Sequence, residues 1–272
     1  MSKRLLFIVL PTLLLAMMLS ACGSQTSWED EKIAEVSNRI DADNVNTIWT
    51  IADGQSSGTG GGKLIRLEIK KQDGTAIDRF DINHEKLLHL IVISKDLSYF
   101  NHIHPEYKGN GVFEIQNDFP AGGEYRLIAD FKPADGDSMT KMTWAQLDGK
   151  TAQPVPVKPD SKLEQVVQGN RVQLTIDRLA ANQDTKLQFS IADERTNRPV
   201  TDLQPYLGAI GHVVILSEDG ERYLHVHAEE GQGSGPDAVF ETQFPKSGIY
   251  KIWGQFRRNN EVFTSSFVVN VS

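Results

Sequence analysis

The chain has 272 residues, with 28 Lys and Arg against 36 Asp and Glu for a formal net charge of −8, a balance that excludes nucleic acid and anionic lipid headgroups as electrostatic partners. Its one cysteine, Cys22, leaves no internal disulfide, so the fold must be held by packing, helped at most by a bound ion.

At the N-terminus Lys3 and Arg4 precede an apolar run from Leu5 to Leu19, and then Leu19-Ser20-Ala21-Cys22. The run is short for a bilayer, which takes roughly 20 residues, and it reads as a secretory signal over 1–21. The tetrapeptide resembles a bacterial lipoprotein signal. That resemblance implies a lipid on Cys22, a mature chain beginning there, and residence at the extracytoplasmic face of the cell membrane. Residues 22–46 are expected to form a tether with a short helix, because Ser27 with Asp30 can cap it and Ile33, Val36 and Ile40 share one face.

From Thr47 onward the pattern is β. Short apolar runs such as "KLIRLEIK", "LLHLIVIS", "HVVILS" and "FTSSFVVNV" alternate with Gly, Pro, Asn and Asp clusters, the spacing of antiparallel sandwiches. The glycine-rich "GQSSGTGGGK" lacks the P-loop spacing and leads into a strand, so it is expected to be a strand connection. The chain also repeats itself. "DFPAGGEYRLIADF" corresponds to "QFPKSGIYKIWGQF", matching Tyr125 to Tyr250 and Phe131 to Phe256. Two copies of one domain are therefore predicted, over 47–155 and 156–272, joined by "TAQPVPVKPDS". Each has about seven strand candidates and a Gly-x-Tyr opening its penultimate strand, as in a tyrosine corner, so the predicted fold class is all-β: two tandem immunoglobulin-like β-sandwiches.

Six of the seven histidines obey one rule. His89, His102 and His104 are spaced 13 and 2 apart, and His212, His225 and His227 repeat that spacing. On a strand, i and i+2 share a face, so each His-x-His pair presents two imidazoles side by side. The third lies on the preceding strand across a turn. A turn centred on Asp219-Gly220 sets His212 opposite His227, and one centred on Glu218-Asp219 sets it opposite His225; both keep three imidazoles on one face. A three-residue loop centred on Asp219 would send one to the other face. Glu106 and Glu229 follow each pair by two positions and would stay on that face if the strands continued. Three imidazoles and a carboxylate suit copper or zinc, with one site expected per domain. Ile91, Ile93 and Phe100 share the face of the first trio, which marks it as partly buried. His84, matched by Leu207, stands outside the rule and is expected at the surface. Met139 and Met142 are expected to be packing residues.

With "HLIVISKDLSYFNHIHPEY" and "GHVVILSEDGERYLHVHAEE" the chain resembles a group of secreted or lipid-anchored proteins of Bacillus-like bacteria, built from tandem His-x-His-Pro sandwich repeats. The second copy departs from that pattern, with Ala228 where the first has Pro105. Two further functions compete with a metal-binding lipoprotein that buffers, delivers or senses copper or zinc beside a membrane transporter or metalloenzyme. One is an Ig-like interaction protein with structural histidines. The other is a zinc enzyme, which the absence of an oxyanion site or activated nucleophile disfavours.

Overall fold

The alternating runs become strands from Val45 to Val271 in a computed structural model that describes residues 40–54, 61–224 and 226–272. The signal, the tether helix as far as residue 39, the middle of the glycine-rich stretch and His225 lie outside the described residues. What is described of the expected tether is a bridge from Ile40 to Gly136, a 3₁₀ turn capped by Asp41, and a first strand that already begins at Val45.

The first repeat runs β1 (Val45–Asp53), β2 (Gly61–Lys71), β3 (Phe80–Asp81), β4 (Leu88–Ser94), β5 (Phe100–Ile103), β6 (Glu106–Gly109), β7 (Val112–Phe119), β8 (Gly123–Pro133) and β9 (Met139–Leu147). The second runs β10 (Glu164–Val167), β11 (Asn170–Ile176), β12 (Asp184–Asp193), β13 (His212–Ser217), β14 (Tyr223–Leu224), β15 (His227–Ala228), β16 (Asp237–Gln243), β17 (Gly248–Arg258) and β18 (Glu261–Val271).

Both repeats have one topology. In the first, β1-β2-β7-β6 faces a sheet in which β8 lies between β4 and β9, with β5 beyond β4. In the second, β11-β12-β16-β15 faces β14-β13-β17-β18, and β10 extends the first of these sheets. These are the A-B-E-D and C′-C-F-G sheets of an immunoglobulin-type sandwich. Asp53 pairs with Lys63 across the glycine-rich connection, which makes it the link of a hairpin. Tyr125 Oη donates to the Ala121 carbonyl and Tyr250 Oη to the Lys246 carbonyl, each at 2.9 Å. Both are tyrosine corners, pinning the turn before the penultimate strand.

Each sandwich fills with its own inward-facing residues. Leu88, Leu90 and Val92 of β4 pack with Phe113, Leu127 and Phe131, while Val213 and Ile215 of β13 pack with Phe189, Phe240 and Phe256. The alternate residues of the same strands form a third core, where Ile91, Ile93, Leu97 and Ile128 of the first repeat meet Val214, Leu216 and Trp253 of the second. β4 and β13 are thus buried on both faces, which explains why "LLHLIVIS" and "HVVILS" read as almost continuous apolar runs. Burying each such aliphatic side chain contributes roughly 1.5–3 kcal/mol. Polar contacts cross the same junction: Arg126 to Glu221 at 3.0 Å, Trp144 Nε1 to Glu221 at 2.8 Å, and Lys251 Nζ to the Leu97 carbonyl at 2.8 Å. Residues Ile40–Ser272 accordingly form one compact unit. Met139 lies in the first core and Met142 packs against the third.

Candidate metal centre

The outer face of the C–C′ hairpin positions the first trio. In the β4–β5 ladder Ile91 opposes His102 and Ile93 opposes Phe100, so His89, Ile91 and Ile93 share a face with His102. The hairpin closes through Leu97 N–H to the Ser94 carbonyl and Ser94 N–H to the Tyr99 carbonyl. Leu97 takes a left-handed φ of 57°, while its side chain is driven into the third core. Beyond Ile103 the chain crosses to the other sheet, and His104 sits at that crossing.

His89, His102 and His104 each offer a nitrogen within 4.8 Å of the others. His89 and His102 are buried, 2% and 8% exposed. His89 Nδ1 lies 3.1 Å from His102 Nε2, and the outward nitrogens are already engaged. His89 Nε2–H donates to the Asn83 carbonyl at 2.9 Å, and His102 Nδ1–H to Gln255 Oε1 at 2.7 Å. In neutral rings that leaves two lone pairs facing one another, a repulsive arrangement unless a cation lies between them. Metal-bound histidines commonly hold their second nitrogen on such a carbonyl, which fixes tautomer and orientation. Two nitrogens on a tetrahedral zinc ion at about 2.0–2.1 Å would be ~3.3 Å apart, close to the separation present. His104 Nε2 is buried with no hydrogen-bond partner, a state that costs free energy and that an ion would relieve.

All three imidazoles favour the neutral form. Burial lowers the His89 pKa, with the Asn83 carbonyl partly opposing it; burial and then the neighbouring His212 hold His102 well below the ordinary range; burial and then His89 bring His104 down to about 4.

Among the described residues the second trio is not assembled in this way. The β13–β14 register, Ile215 to Leu224 and Leu216 to Tyr223, is the one that a turn centred on Asp219-Gly220 predicts. The described ladder runs to Leu224, and His227 pairs with Glu241 of β16 in the other sheet, exposed. His225 lies outside the described residues. His212 instead turns toward the first repeat, its ring centroid 4.8 Å from His102 and 5.8 Å from His89. The expectation of one equivalent centre per domain is therefore corrected: of the described imidazoles, His212 joins those of the first repeat, while His227 lies apart from them.

The carboxylates are corrected as well. Glu106 opens β6, opposite Glu114, and its exposed side chain pairs with Lys108 at 2.6 Å. Glu229 pairs with Lys186 at 2.6 Å. Both follow the crossover to the A-B-E-D sheet, so the face they were expected to share ends before them.

His84, expected to stand apart, has its ring 6.2 Å from His89 and 6.1 Å from His212. It occupies a tight turn closed by Asn83 and Lys86, with φ of 45° at His84 and 66° at Glu85. The matching turn of the second repeat holds Leu207 and Gly208, also at positive φ. Neither histidine spacing nor the alignment of the two turns signals this approach, which depends on how the repeats pack.

A family model described as "Domain of unknown function (DUF8832)" matches the sequence twice, over 42–149 and 165–272. No curated protein matches it. Among solved structures, the FdeC adhesin of Escherichia coli is similar at 16% identity and a TM-score of 0.25, over 83% of this chain, which spans 64% of that one. Domains 4 and 5 of the S-layer protein SbsC are similar at 11% identity and 0.23, over 83% of this chain and 97% of that one. The D00-D0 domain of intimin is similar at 13% and 0.24, over 82% and 99%. At such TM-scores none of these bears on function.

Proposed function

The chain belongs, in both repeats, to the DUF8832 domain family, and from that premise and the histidine geometry we propose that it is a transition-metal-binding protein holding copper or zinc at His89, His102 and His104. The carrying observation is the pair of facing nitrogens, His89 Nδ1 and His102 Nε2 at 3.1 Å, each ring held from behind by a carbonyl oxygen. Neutral imidazoles suit these ions, and the lowered pKa values keep the ligands unprotonated at neutral pH. The N-terminal sequence supports a lipid anchor on Cys22 and an extracytoplasmic location at the cell membrane. There the protein would buffer, deliver or sense metal, with a membrane transporter or metalloenzyme as partner. Elemental analysis and titration of the purified chain with zinc(II) and copper(II), beside a His102→Ala variant, test this. Tight binding lost in the variant supports it; no uptake by the folded protein removes it.

A second reading rests on the same distance. If the Gln255 amide presents its NH₂ to His102 Nδ1, then His102 Nε2–H can donate to His89 Nδ1, and the imidazoles become a hydrogen-bonded chain that fixes the junction between two Ig-like interaction domains. That protein would ignore both metals, yet lose stability on His102→Ala.

A further inference from the structure

We infer that His212 of the second repeat supplies a fourth imidazole to the centre, so that one ion is held by both repeats and ties them together. This rests on the metal-binding reading above. The His102–His212 centroid distance, 4.8 Å, is as short as those inside the trio, which are 4.9, 5.0 and 5.2 Å. His212 also lies nearly parallel to His89, at 9°. A closed zinc site takes four ligands, and the trio supplies three. The expected fourth, Glu106, is on another sheet and paired with Lys108. Asp130, across the ladder from His89, is engaged by the Tyr223 hydroxyl.

The second repeat also presents more than one group here. His212 opposes Gln255 in the β13–β17 ladder, and Gln255 is the residue that holds His102. A ligand and an orienting group thus come from adjacent strands of the partner sheet. Their placement is fixed by packing, because Val214 and Leu216 follow His212 on the same face and are fully buried against the first repeat. Rotation of the His212 ring about χ2, a soft torsion, is the adjustment that brings its nitrogen to the ion.

The test uses the purified chain with zinc(II) or copper(II) alone as probe, comparing wild type with His212→Leu and His212→Gln. Two variants are used because either could disturb the junction, and thermal unfolding without metal checks that each is folded. The expected result is a loss of about 10–100-fold in affinity in both variants. In wild type, metal should slow hydrogen exchange in β4 and also in β13 and β17; in the variants, in β4 alone. Wild-type affinity in both folded variants, or metal-dependent protection confined to the first repeat, would overturn the inference while leaving the trio as a metal site. No binding by wild type would overturn both.

Discussion

In the first repeat the His-x-His pair is followed by Pro105, and in the second by Ala228; the two copies then take their crossovers differently. Proline fixes its own φ and restricts the residue before it, and pairing with β7 starts only at Glu106. Alanine imposes no such restriction, and pairing with β16 starts at His227 itself, with the Glu229 N–H donating to the Val239 carbonyl. His104 therefore remains beside His89, whereas His227 is drawn into the A-B-E-D sheet and exposed. The hairpin turns diverge in the same spirit. Leu97 fills the shared core, while its counterpart Gly220, at φ 73°, leaves room for Trp144 of the first repeat, which lies 2.7 Å from where a Cβ would be. Duplication thus produced one half that gathers the imidazoles and one that covers and orients them.

The largest effect should come from breaking the junction that both halves share. Leu216 is fully buried there, and Leu216→Ala should cost about 2–5 kcal/mol in denaturant unfolding. Wild type should unfold in one transition. Two separated transitions would show that the repeats are independent after all.

Next is the crossover itself. Pro105→Ala gives the first repeat the second repeat's unrestricted backbone at this position, so His104 should be free to join the ladder. Metal affinity should fall by ~10–100-fold, as when a positioning group is lost, with little change in metal-free stability. Unchanged affinity would mean that something other than the proline ring holds His104 in place.

The metal-free protein should also reveal the gathered imidazoles by its pH dependence. His104 is at about 4 in the folded chain against an ordinary 6.5, and His89 and His102 are lowered too. As pH falls through 6.5 the unfolded chain binds protons first, so stability present above 6.5 should decline, the His104 share of that decline ending at about 4 as its ring protonates in the folded form. Thermal unfolding from pH 7.5 to 4 measures this, and His104→Gln should make the decline shallower.

A smaller and symmetric effect belongs to the corners. Tyr125→Phe and Tyr250→Phe each remove one hydrogen bond of the same length, and each should cost about 0.5–1.5 kcal/mol. Strongly unequal losses would show that the two corners carry different loads.

These contrasts also explain what could be read in the sequence. Strand positions, the duplication and the corners follow from local rules, period-2 alternation and a Gly-x-Tyr, and the observed hairpin register, centred on Asp219-Gly220, is one of the two that the turn residues left open. Burial of Ile91, Ile93 and Phe100 beside the first trio was legible too, though not what buries them. The crossover after Ile103, and the one that brings His227 to β16, was not, because a strand's change of sheet depends on a partner strand elsewhere in the chain. Neither was the approach of His212 and His84, which follows from one repeat packing on the other. Pro105 against Ala228 was the visible mark of that divergence, and only the ladders give it a direction.

The smallest expected effect is a direct check on the crossover. Were strands β5 and β14 to continue straight, Glu106 and Glu229 would sit beside the imidazoles and add anionic ligands. Instead each is held by a lysine on the opposite sheet, in contacts of a kind worth ~0–1 kcal/mol. Glu106→Gln and Glu229→Gln should therefore leave metal affinity unchanged in the same titrations and shift stability by no more than that amount. A fall of about tenfold, or 1.4 kcal/mol, on removing Glu106 would mean that the segment after Pro105 swings back to the C–C′ face when metal binds. The site would then be completed from within the first repeat, and His212 would no longer be needed as its fourth ligand.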